Sequence, residues 1–453
     1  MTTVPPAPAD VLDLLRRVAV ALIRSVETTS RVTEIVTHLA HRYGYDDVRV
    51  IVVPTSVVVR VVDGGGVVHV DLLDTDASML RLDQIDTLYR LIDRVKRKLP
   101  APAIAVAELS RVLDSAQPTP MWQLLLGNVV LTVGMGMTLN PSPRALPGYV
   151  VLGLVVQVLI SAVGQLPRLS FALPVLATAT VTMLAFGLSG PLSGGHPAEL
   201  LVPPVAALLP GSVLTTGVRE LAEGAMISGA ARVASGVNVL LLLGFGILVG
   251  LEIIGKASIA DPAPYPALGW WAPVVGVALI GLGMSWQYSA PTGSIPWMLF
   301  VLYLTYAAQA LGSRAGSLFG VFLGGLTLAP AAMLIASHRD APAVQASFLL
   351  GFRMLVPGSL GLTGLSDLAG HETSLGIHVL ATTLLTMIAI ALGIQVGSGL
   401  FTSPVWSQHI SRLHNHVPER WQRTVRRCTR RISRSHILFE ASHNSHPYRK
   451  DPR

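Results

Sequence analysis

The sequence predicts a polytopic α-helical membrane protein: ten transmembrane helices as two inverted five-helix repeats, preceded by a small cytoplasmic α+β domain. Three observations predict it. The 453 residues are 51% hydrophobic and only 13% charged, with a mean hydropathy of +0.57, too apolar for an ordinary soluble chain. The charges avoid the middle. Residues 121–407 hold 8 Lys/Arg and 8 Asp/Glu, against 14 and 15 in residues 1–120 and 11 and 3 in residues 408–453. Finally, a segment of the apolar region recurs 147 residues further on.

The first elements read as a soluble fold. Met1 to Asp10 carry neither a basic cluster nor an apolar run, so no cleaved signal peptide is expected and this region stays in the cytoplasm. Helices are expected over Val11–Arg24 and Thr28–Tyr43. The second has Val32, Ile35, Val36 and Leu39 on one face and Gly44 as its stop. Val48–Pro54, Ser56–Val62 and Val67–Leu72 are β-branched runs, the last two joined across Asp63-Gly64-Gly65-Gly66 as a hairpin. Helices over Asp83–Lys98 and Ala103–Asp114 complete a domain of residues 1–118. It holds no phosphate loop, HExxH or metal-ligand cluster, and the single Cys428 excludes a disulfide framework. No cofactor is expected.

A bilayer core needs about 20 apolar residues in a helix. Ten such stretches follow: Met121–Leu139, Gly148–Gly164, Ser170–Leu188, Ala198–Val218, Val233–Ile254, Ala267–Trp286, Ile295–Leu311, Gly316–Ala336, Val344–Leu365 and Leu375–Leu400. An even number with basic flanks at both ends puts both termini of a multi-pass membrane protein in the cytoplasm. The repeat divides them. LLPGSVLTTGVREL at Leu208–Leu221 lies over LVPGSLGLTGLSDL at Leu355–Leu368 with seven of fourteen positions identical, where chance gives about one. Residues 119–260 and 261–402 are therefore two five-helix repeats, and an odd number of spans turns the second copy upside down, as in many secondary transporters.

Pro210 and Pro357 should break the fourth and ninth spans near mid-membrane, where half-helix N-termini can hold a carboxylate. The hydroxyls of Ser212, Thr215, Thr216, Ser359 and Thr363 would then be substrate-binding groups, with close Gly/Pro helix packing as the alternative. Arg353, four residues before Pro357, could meet a substrate carboxylate or snorkel to the interface. Glu220, Glu223, Glu252 and Asp367 are candidates for a coupling proton or hydrated interface residues. Asn128, Gln157, Asn238, Gln309 and His378 either line a pathway or bond between helices. Gly187-Leu188-Ser189-Gly190 matches the GxSG string of rhomboid-type proteases but lacks its structural setting, so no catalytic residue is assigned.

These residues resemble the threonine/serine exporter (ThrE) family over residues 12–400. The resemblance rests on RVTEIVTHLAHRYGYDDVRVIVVPTSVVVRV, LRLDQIDTLYRLIDRV, LLPGSVLTTGVRELAEGAMISGAARV and LVPGSLGL. It implies a non-enzymatic, proton-driven exporter of threonine and serine, the split two-chain relatives implying small dicarboxylates such as succinate instead. A membrane-anchored hydrolase or sensor acting through residues 1–118 is the competing class. The implied partners are the small-molecule substrate, protons and membrane lipids, and a homo-oligomer is compatible with the reading. The tail, residues 403–453, is a basic flank expected to be disordered. It contains no folded reader for a nucleic acid.

Overall fold

The computed structural model describes residues 6–75, 78–139, 142–164, 166–194, 196–255, 267–291, 293–336, 342–355 and 373–402. The first part contains α1 (Pro8–Arg24), α2 (Thr29–Arg42), β1 (Val48–Val53), β2 (Ser56–Val62), β3 (Val68–Asp74), α3 (Leu82–Lys98) and α4 (Pro102–Leu113). The strands form an antiparallel sheet in the order β1-β2-β3. Alternation along β2 sends Val57, Val59 and Val61 to one face, where all are fully buried against α1. Asp63 closes the β2–β3 turn by accepting from Gly65 N and Val67 N, both at 2.9 Å, while Gly66 takes φ +79°. The His69 hydrogen bond and those two backbone donors hold the Asp63 carboxyl below its ordinary pKa.

The remainder is helical. It comprises α5 (Met121–Thr138), α6 (Leu146–Gly164), α7 (Leu173–Gly187), the short α8 (Ser189–Ser193), α9 (Gly211–Ala222), α10 (Met226–Ile253), α11 (Trp271–Gln287), α12 (Ile295–Gly312), α13 (Ser317–Ala336), α14 (Val344–Met354) and α15 (Thr373–Thr402). Among the described residues six helices are long and apolar enough to cross a membrane, or seven if the pair Pro197–Leu208 and Gly211–Ala222 is one span bent by 64°. Shorter apolar helices lie at Trp271–Gln287 and Leu384–Leu400. The protein is a polytopic helical membrane protein. The stretch Val344–Leu365 is helical as α14 through Met354, and its part beyond Leu355 lies outside the described residues, as does the basic tail.

Glycines set the close helix crossings, because a missing side chain lets backbones touch where no hydrophobic force separates lipid from helix. On α5 and α11, a Cβ at Gly134 would lie 2.9 Å from Gly276 O, and one at Gly283 would lie 2.8 Å from Gly127 O. The same device joins α7 to α10 and α13 to α15. A Cβ at Gly246 would meet Val175 O at 2.5 Å and one at Gly250 would meet Ala179 O at 2.9 Å. A Cβ at the counterparts Gly393 and Gly397 would clash with Phe322 O and Leu326 O. All four residues of the second set are the first set moved by 147 positions.

The N-terminal part sits on one end of these helices. Leu82 N and Asp83 N, in the first turn of α3, donate to Tyr288 O and Ser289 O just after α11 at 2.9 and 3.1 Å. Ser228 Oγ, at the start of α10, donates to Val52 O of β1 at 3.2 Å. Orphan N–H groups at a helix start need such acceptors.

Candidate functional site

Pro210 does end one helix and start another. A 3-10 helix over Pro203–Leu208 stops at the extended Leu209, and α9 begins at Gly211 in a new direction. On α9, Ser212, Thr215 and Thr216 are all buried. Thr215 and Thr216 line a small pocket of about 10 Å³, room for one water. Across it stand Glu27 and Thr28 from the α1–α2 junction, and Gln345, Phe348 and Phe352 from α14. Phe348 and Phe352 stack with ring centroids 5.4 Å apart. Glu27, Arg219, Gln345, Phe348 and Ile394 also line a second, larger chamber of about 850 Å³. That chamber lies between α2 and α3 on one side and α9, α13, α14 and α15 on the other.

Its charged lining is balanced. Glu27, Glu34, Asp86 and Asp93 face Arg31, Arg90, Arg97 and Arg219 among the described residues. Several are paired: Arg31 with Glu34 at 2.6 Å, Arg90 with Asp86 at 2.9 Å, and Arg219 with Glu223 at 2.8 Å. Burial works against the Arg31 charge, but the Glu34 hydrogen bond and the Glu34 and Glu27 charges outweigh it and raise its pKa. Tyr89 donates to Glu27, and burial together with the Glu27 charge pushes its phenol well above its ordinary pKa.

Glu220 departs from the hydrated-interface alternative, because the N-terminal part covers it. Its carboxylate is fully buried and Oε1 accepts from Thr29 N, the first residue of α2, at 2.9 Å. Oε2 lies 3.0 Å from Arg232 Nε, an ion pair without an aligned hydrogen bond. Arg232 Nη2 in turn donates to Glu27 O at 3.2 Å. A carboxylate at a helix start satisfies an orphan N–H and complements the helix dipole. Asp86 does the reverse: this α3 side chain accepts from Ala343 N, at the start of α14, at 2.8 Å. Gln345 Nε2 donates to Ser25 O and Val26 O at 3.4 Å. Helix α10 thus starts at Met226, a turn or more before the apolar pattern suggests, and Arg232 is a buried helix residue rather than a loop charge.

The other expectations divide. Glu223 is held by Arg219, and Glu252 is exposed near the end of α10. Arg353 falls within α14, whereas Ser359, Thr363 and Asp367 lie outside the described residues. Ser212 is buried, and it lines neither the small pocket of Thr215 and Thr216 nor the larger chamber. Asn128 and Gln157 bond between helices, Asn128 Nδ2 to Gly153 O at 2.8 Å and Gln157 Oε1 accepting from Gln287 Nε2 at 2.8 Å. Gln309 is half-buried on α12, Asn238 is exposed on α10, and His378 lies on α15. Sequence reasoning passed over Glu27, Thr28, Arg219 and Gln345. The available signal was the charge cluster Arg219, Glu220 and Glu223 directly after a broken half-helix, with Glu220 aligned to Asp367 by the 147-residue shift. No group of three His, Cys, Asp or Glu suited to a metal occurs among the described residues.

Fold and site together define the class: a multi-pass helical membrane protein with a polar chamber held between its helices and an N-terminal α/β part. The ThrE family model, described as "Putative threonine/serine exporter", matches residues 13–254, just over half of the chain. The chain belongs to this family of transporters, not of enzymes. It is 24% identical over 416 residues to a "Probable threonine/serine exporter" of Mycobacterium tuberculosis, spanning 86% of this chain and 76% of that protein. It is 27% identical over 225 residues to "Pheromone-regulated membrane protein 10" of Zygosaccharomyces rouxii, spanning 43% of this chain and 22% of that protein. No solved structure matches it.

Proposed function

We propose that this chain exports threonine and serine across the bacterial inner membrane by proton antiport, through alternating access between two inverted five-helix halves. In this reading the domains are residues 1–118, 119–260 and 261–402, the tail is residues 403–453, and both termini are cytoplasmic. The observation that carries it is the Thr215–Thr216 pocket, whose walls come from α9 of the first half and from α14 and Ile394 of the second. A site between two halves is what rocking motion can expose to either side in turn. The matching glycine contacts of α7 with α10 and of α13 with α15 support the repeat.

Helix direction supports the ten-span count. In ten alternating spans, the C-terminal ends of α9 and α11 and the N-terminal ends of α10 and α14 all fall on the side of the first domain. These are the ends that Thr29, Leu82, Val52 and Asp86 engage. The balanced lining favours a zwitterion over a dianion, since four carboxylates would repel a dicarboxylate as strongly as four guanidiniums attract it. Glu220, Glu223, Glu252 and Asp367 remain the proton candidates and Ser212, Thr215, Thr216, Arg353, Ser359 and Thr363 the binding candidates of this proposal.

The test is movement of labelled threonine, serine and succinate in orientation-controlled proteoliposomes, with and without a proton gradient. Gradient-driven threonine and serine flux is expected. Succinate flux alone would replace the substrate class, and no flux of any of the three would refute export.

A further inference from the structure

The small pocket contains an unanswered hydroxyl. Thr28 is the N-cap residue of α2, where a threonine hydroxyl ordinarily accepts a hydrogen bond from the first turn. Here Thr28 makes no such bond, and the N–H next to it, that of Thr29, goes to Glu220 instead. Thr28 is 2% exposed, and its Oγ1 is buried without a partner among the described residues. A buried polar atom left in that state calls for an explanation. Thr28 lines the pocket opposite Thr215 and Thr216, and the pocket is the size of one water.

That volume is too small for an amino acid and right for one hydroxyl group. The wall shared with the larger chamber carries both signs of charge. Glu27 accepts from Tyr89 through Oε2 and only distantly, at 3.4 Å, from Thr28 N through Oε1. Arg219 gives Nε to Glu223, and the N–H groups at its two Nη atoms have no acceptor among the described residues. Building on the exporter reading above, we infer that Thr28 is a specificity-determining residue. The substrate's side-chain hydroxyl enters the water-sized pocket between Thr28, Thr215 and Thr216, while Glu27 takes its ammonium and Arg219 its carboxylate from the chamber side. The N-terminal part is then a wall of the substrate site itself. Selection for a hydroxyl follows from the pocket, because a substrate lacking it leaves the Thr28 hydroxyl unpaired.

The experiment is competition against labelled threonine in proteoliposomes of the full-length protein, with serine, alanine and 2-aminobutyrate as unlabelled competitors. Wild type should prefer serine over alanine by at least about tenfold, the worth of one good hydrogen bond in a dry site. Thr28→Val should bring that ratio close to one, chiefly by weakening serine, and Thr28→Ser should keep it. If Thr28→Val does not fold, Thr28→Ala removes the hydroxyl together with the γ-methyl, and Thr28→Ser, which lacks only the methyl, is its control. A wild-type ratio surviving in folded Thr28→Val or Thr28→Ala overturns the inference alone. Equal competition by serine and alanine in wild type does the same, whereas a wild type moving neither threonine nor serine overturns the exporter reading and this inference with it.

Discussion

Glu220 and Arg232 are the pair on which the joint between the N-terminal part and the helices depends. Their side chains are 0% and 8% exposed, 3.0 Å apart, and each also holds a backbone group of the α1–α2 junction. Removing one member of a buried pair strands the other charge, at about 3–5 kcal/mol, whereas replacing both is often near neutral. Glu220→Gln keeps an acceptor for Thr29 N and loses only the charge, so its effect isolates the pair. Arg232→Met strands Glu220 instead. The double variant should then be less destabilised than the sum of the singles by about 2 kcal/mol or more. Thermal and chemical unfolding in detergent micelles, arranged as a double-mutant cycle, reads that coupling. Singles that add to within about 0.5 kcal/mol would refute the pair as an energetic unit. Protection of α2 amides from hydrogen exchange should fall in both singles, because the α2 start loses its anchor.

Other expectations follow from single contacts. Gly246→Ala and Gly393→Ala should each destabilise by about 1–3 kcal/mol through overpacking, since the added carbons would lie 2.5 Å from Val175 O and closer still to Phe322 O. Gly399→Ala, with nothing within 4 Å, should be neutral or stabilise slightly, and a common loss of melting temperature in all three would sink the matched-crossing argument. Asp86→Ala removes the acceptor at the start of α14 and should cost about 1 kcal/mol, detectable as a lower melting temperature that Asp86→Asn largely restores. Burial alone would raise the Asp13 pKa, but the hydrogen bonds and charges of Arg17 and Arg16 win and hold it below its ordinary 3.8. The depressed value adds stability above pH 3.8 that disappears as pH falls through the folded pKa. Acid unfolding of Asp13→Asn should therefore lack that component, and an unchanged acid limb would contradict it.

What the sequence makes legible depends on how local each signal is. Val57, Val59 and Val61 alternate within seven residues, and Asp63 with three glycines turns the chain, so the sheet can be read without knowing its neighbours. The bend at Pro210 is equally local, because a missing N–H and a ring clash act on the preceding turn. The pocket is not local. Thr28 looks like an ordinary N-cap, yet its hydroxyl caps nothing, and the acceptor at this helix start is Glu220, 191 residues beyond Thr29. Arg219, Glu220 and Arg232 look like interface charges because a hydropathy pattern treats water as the default partner outside the bilayer. For Glu220 and Arg232 the N-terminal part supplies a different partner there. A helix start needs acceptors wherever it lies, and two docked bodies can exchange carboxylates to meet that need, Glu220 toward α2 and Asp86 toward α14. Charges at the ends of membrane helices are thus ambiguous in sequence between solvent, lipid and a covering domain. The ambiguity is resolved only when the covering surface is known, and here that surface also carries the residues that face the site.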